Sequence, residues 1–161
     1  MLKPLEQWVC DDCGKIINSA DEGYVEWLRD KETHKRHGFR IIHHAPSSPR
    51  HPSGNCYKYS HHPERGGDLQ LSRFIGPAGM AWILSFLDSG PYHERDFSGP
   101  GVKDVREYVE LMRRFMIPFY EEARLYWETA VEDGFFDGEN DVWIYLPEKL
   151  KELIRRYGSK P

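Results

Sequence analysis

Two cysteines set two residues apart, Cys10 and Cys13 in the run WVCDDCGK, constrain this chain more than any other feature. A two-residue gap lets a tight turn aim both sulfurs at one point, the geometry of half a metal site. The chain holds three cysteines in all, the third being Cys56, and an odd number cannot close into a disulfide framework. C-x-x-C then reads as metal-binding or redox. Histidine usage decides between the two, because seven of the eight histidines fall between His34 and His62, in the same part of the chain as the cysteines. A thioredoxin-like redox motif also needs a βαβ context, which the neighbouring pattern does not supply.

Short apolar runs separated by turn residues follow the knuckle: QWVC, GKIIN, GYVEWL, GFRIIHH and CYKYS. They read as strands. In GYVEWL, Val25 and Trp27 share one face and Glu26 takes the other, the alternation of a half-buried strand. Residues 30–38 form a polar hairpin tip. Two stretches, 45–55 with three prolines and 61–68 containing HHPERGGD, read as loops.

Beyond the second loop the apolar period lengthens to that of a helix. Pro77 to Leu87 carries Met80, Ile83, Leu84 and Leu87 on one face, with Gly90-Pro91 as a stop. Lys103 to Met116 repeats Val105, Val109, Met112 and Met116, and Pro118 starts a third helix with Phe119, Ala123, Tyr126, Trp127, Ala130 and Val131 in its stripe. Asn140 to Tyr145 is expected as a short strand. Pro147 opens a last helix with Leu150, Leu153, Ile154 and Tyr157 inward. The expected architecture is α+β: a β-rich metal-binding module over residues 1–66, and about four helices over 67–161 packed against it.

The segment from residue 8 to about 60 resembles a zinc ribbon, on the strength of the knuckle WVCDDCGK. Gly14 suits that turn, since a missing Cβ admits a positive φ. The resemblance implies a structural zinc ion with two further ligands from a second hairpin. Cys56 is the third candidate. The fourth is one histidine of the His43-His44 pair, which ends the apolar run FRII; His43, on the face of Phe39 and Ile41, is preferred, and His61-His62 compete from beyond CYKYS. A closed four-ligand zinc is structural rather than catalytic, so the expected function is a protein-binding or adaptor module, with nucleic acid as the alternative partner. A second reading starts from His43-His44, Asn55 and His61-His62, which are similar to the His-Asn-His set of metal-dependent HNH nucleases. Ile42, however, stands where that family carries an acidic residue.

Charge and composition limit the remaining classes. Residues 1–66 carry 10 basic against 9 acidic side chains and residues 67–161 carry 12 against 17, giving a net charge of −4. A pI near 6.1 disfavours a surface built to track phosphates over a long stretch. No run reaches the roughly 20 apolar residues of a membrane span, and the first residues lack the apolar core of a signal peptide, so a cytoplasmic location with no membrane contact is expected. Phosphate-loop, dinucleotide, H-E-x-x-H and G-x-S-x-G motifs are absent. EDGFFDGEND does not make a calcium loop, because Phe135 and Phe136 interrupt the alternation of oxygen ligands. Arg113 and Arg114 are expected on a solvated helix face.

Overall fold

A computed structural model of the chain describes residues 1–88, 90 and 99–158. The fold is α+β, with small antiparallel sheets in the N-terminal half and helices in the C-terminal half. β1 (Trp8–Val9) and β2 (Ile16–Ile17) pair across the cysteine knuckle, Trp8 opposite Ile17. β3 (Gly23–Arg29), β4 (Arg36–His43) and β5 (Arg65–Gln70) form a second sheet in the order β4-β3-β5.

One strand expectation and one loop expectation fail around β3. CYKYS, expected as a strand, runs as irregular backbone with bends, and β5 instead starts in HHPERGGD, which the sequence pattern marks as loop, and continues to Gln70. The 56–60 stretch lies over one face of β3, where the Lys58 amide donates to both Glu26 carboxylate oxygens at 3.3 Å and the Tyr59 hydroxyl donates to the Gly38 carbonyl at 2.9 Å. Gly67 makes β5 pairable, since a Cβ there would stand 2.8 Å from Trp27 Nε1; the bare backbone lets the indole lie across the strand. Consequently β3 is covered on both faces. Glu26, expected outward, is 2% exposed, and burial raises its carboxyl pKa despite the Lys58 amide and Arg40.

The helices are α1 (Gly76–Leu87), α2 (Val105–Met116), α3 (Tyr120–Ala123), α4 (Trp127–Glu132) and α5 (Pro147–Tyr157). Pro91 of the expected stop after α1 lies outside the described residues. The expected third helix is broken by a 3₁₀ turn at Arg124–Tyr126, and Asn140 to Tyr145 holds a turn and a 3₁₀ segment rather than a strand. Asp104 caps α2 by accepting from the Arg106 and Glu107 amides at 2.8 and 3.2 Å. Glu107 then accepts from the Phe39 amide at 2.7 Å, which ties α2 to β4.

Two apolar clusters result. The first gathers Trp8, Ile17, Val25, Ile41, Phe74, Phe86, Tyr108 and Phe115, among others, and so draws on both sides of residue 66, where the two parts of the chain were expected to divide. The second gathers Tyr120, Ala123, Ala130, Phe135 and the inner face of α5. Among the described residues no helix is long and apolar enough to cross a membrane.

Candidate metal centre

Each ligand candidate is placed by the end of a short element. β1 delivers Cys10 at its exit, and the turn 11–14 returns the chain through Cys13 to β2, closed by the Gly14 amide donating to the Cys10 carbonyl at 2.9 Å. Gly14 has φ +68°, with nothing within 4 Å of where a Cβ would stand; the turn needs its backbone freedom, not its small size. β4 ends on His43. The loop after β4 brings back Cys56, which is fully buried beside the Ser48 hydroxyl at 3.3 Å.

The four side chains meet. One donor atom from each of Cys10, Cys13, His43 and Cys56 lies within 4.8 Å of the others, and this group can hold a metal ion. His43 Nδ1 sits 3.4 Å from Cys13 Sγ and 3.9 Å from Cys56 Sγ. Its other ring nitrogen, Nε2, lies 3.2 Å from the Ile16 carbonyl oxygen. A carbonyl only accepts, so Nε2 carries the hydrogen and Nδ1 turns its lone pair to the sulfurs. Cys10, His43 and Cys56 are buried and Cys13 is partly so. Burial, with the neighbouring sulfurs adding to it, pushes the Cys56 thiol up to about 12. A bound cation would reverse that preference, because metal ligation takes the thiolate.

The remaining candidates lie elsewhere. His44 leaves the group and stacks on Tyr24, ring centroids 4.8 Å apart, as the alternation of a strand end requires. His61 is exposed, and His62 Nδ1 accepts from the Glu64 amide at 3.2 Å. Asn55 caps its own turn, accepting from the Tyr57 amide at 2.9 Å. Among the described residues the Cys10, Cys13, His43 and Cys56 group is the only cluster of three or more His, Cys, Asp or Glu side chains arranged to hold a metal.

Sequence spacing did not point to the two residues inside the knuckle. Asp11 Oδ2 accepts from the Ile41 amide at 2.7 Å and from Arg114 Nη1 at 2.6 Å, and its Oδ1 accepts from Arg124 at 3.2 Å. Asp12 accepts from Arg40 at 3.1 Å and also from Arg50. Arg114, expected in solvent, is 5% exposed and forks onto Glu121 at 2.7 and 3.0 Å. Burial alone would lower its pKa; Glu121 and Asp11 outweigh it and raise the value instead, so the guanidinium stays charged. Glu121 also accepts from the Val9 amide at 2.8 Å. The knuckle is thus clamped to the corner between α2 and α3.

No protein-family model, curated protein or solved structure matches this chain. The functional reading therefore rests on the geometry of the site.

Proposed function

We propose that Cys10, Cys13, His43 and Cys56 hold one structural zinc ion, and that the chain is a zinc-stabilised protein-binding module. The carrying observation is the inward convergence of four protein donors, with His43 already fixed in the ligating tautomer. A zinc tetrahedron with Zn–S of about 2.3 Å and Zn–N of about 2.0–2.1 Å has S-to-N edges of about 3.6 Å. The His43-to-sulfur separations of 3.4 and 3.9 Å bracket that edge. Three thiolates and one imidazole are the soft donor set that zinc takes in closed sites, whereas magnesium and manganese favour oxygen.

Four protein ligands leave no position for water or substrate, which assigns the ion to folding rather than catalysis. The nuclease reading draws less support. His43 is spent on the cysteine group, and His44, Asn55 and His62 have separate local partners.

Metal analysis of the purified protein tests this reading. One equivalent of zinc is expected in the wild type and a large loss in Cys13→Ser, with His44→Ala retaining it. DNA and RNA should stay uncleaved in magnesium or manganese. Zinc retained by Cys13→Ser and lost in His44→Ala would refute the ligand set, and metal-dependent cleavage abolished by His43→Ala would refute the structural role.

A further inference from the structure

The end of the sheet opposite the metal centre carries a row of three arginines. Arg29 of β3 stands directly across from Arg36 of β4 and directly across from Arg65 of β5. Residues directly opposite in antiparallel strands project on the same face, so three guanidinium groups share one row at strand spacings of about 5 Å. Like charges in that position destabilise a sheet unless something offsets them. Among the described residues neither Arg29 nor Arg65 has an ion pair, and nearby carboxylates are engaged elsewhere: Glu64 with His37 at 2.8 Å and Asp30 with Lys103 at 2.6 Å.

On the same face the row borders a cleft of about 330 Å³, walled by Trp27 and by Trp82 and Phe86 of α1. That volume is at the small end of the range for small-molecule sites. Trp82 is 39% exposed, and the Trp27 indole N–H is buried with no hydrogen-bond partner among the described residues. The Arg36 guanidinium lies 4.2 Å from the centre of the Phe86 ring, which holds it at the cleft rim. Among the described residues lining the cleft, Asp68 is the one carboxylate.

We propose that this cleft binds a free nucleotide, its phosphate on the Arg29, Arg36 and Arg65 row and its base against Trp82. Arginine forks match phosphate oxygens, and a flat indole gives a planar base a stacking surface. A net charge of −4 favours a free nucleotide over a nucleic-acid strand, whose many phosphates the acidic remainder of the molecule would repel. The site is independent of the zinc reading.

Calorimetric titration with AMP, adenosine, inorganic phosphate and a short single-stranded DNA tests the proposal. AMP should bind more tightly than either adenosine or phosphate, with an affinity that falls as salt rises. Arg65→Ala and Trp82→Ala should each weaken AMP by about tenfold or more. Both sites are partly or fully exposed, so melting temperatures should stay near wild type, and Arg155→Ala on α5 serves as the control that leaves binding unchanged. Failure of AMP to bind at millimolar concentration, or AMP affinity unmoved by both variants, overturns the proposal. So does phosphate matching AMP, which would leave the aromatic wall without a role, or DNA binding in the absence of AMP binding.

Discussion

Arg114 joins three parts of the chain that are far apart in sequence: the knuckle through Asp11, β1 through the Val9 carbonyl, and α3 through Glu121. Removing one partner of a buried ion pair strands the others, so Arg114→Met should lower stability by about 3–5 kcal/mol in denaturant unfolding. Adding Glu121→Leu should recover part of that loss; a single variant as stable as wild type would show that the network contributes nothing. Asp30 offers a pH test. Its pKa is held well below the ordinary 3.8 by the Lys103 ammonium and by the Thr33 amide and hydroxyl. A depressed carboxyl pKa adds stability that is present above the unfolded value and lost as pH falls towards the folded one. Asp30→Asn should therefore melt lower than wild type at neutral pH, with the gap closing below about pH 3.8. A gap that persists into strong acid would mean that the ion pair is not its source. None of this was legible in the sequence. Ligand spacing rules concern the cysteines and say nothing of the residues between them, and Arg114 looked solvated because its counter-charges arrive from Asp11 and from beyond the α2–α3 corner.

At the level of elements, α1 and α2 could be located from pattern but not rotated correctly. α2 buries Tyr108, Leu111 and Phe115, while Val105 and Met116 of the expected stripe are 48% and 40% exposed. The aromatic rings won because they fill the space under β4 and α1, where Tyr108 donates its hydroxyl to the Ile83 carbonyl at 2.7 Å. In α1 the inward residues are Gly79, Ile83 and Phe86, whereas Leu84 is 51% exposed. α5 needed no correction, since all four expected residues are buried. Gly79 explains part of the α1 rotation. A Cβ there would stand 2.2 Å from the Phe74 carbonyl carbon, a backbone atom that cannot step aside. Gly→Ala inside a helix ordinarily gains up to about 1 kcal/mol, but this clash should reverse the sign and cost about 1–3 kcal/mol or more. Gly79→Ala is expected to melt below wild type. A variant that melts higher would mean that the 71–74 turn is not packed against α1 as described.

Across the whole molecule, the proposed zinc does more than hold a β module. Cys10 and Cys56 belong to the same apolar cluster as Phe86 of α1 and as Tyr108, Leu111 and Phe115 of α2, and the Asp11–Arg114 pair ties the knuckle to that helix directly. The α+β class was legible in the sequence, and four of the five residues singled out there, Cys10, Cys13, His43 and Cys56 but not His44, come together as a group that could hold a metal; a shared core was not legible, because periodicity shows which face is apolar and not what covers it. The consequence is measurable. An ion that binds only the folded state adds about 4 kcal/mol when its free concentration is 1,000 times its dissociation constant, and stripping it removes that contribution from every residue that unfolds with the site. A chelator should lower the melting temperature and speed amide exchange in β3, β4, α1 and α2 together. α5, which packs in the second cluster, should respond less, and chiefly through the Arg114–Glu121 link. Exchange mass spectrometry separates the alternatives. If chelation exposed only residues 1–60 and left α1 and α2 protected, the first cluster would be two independent units and the zinc would serve the N-terminal strands alone.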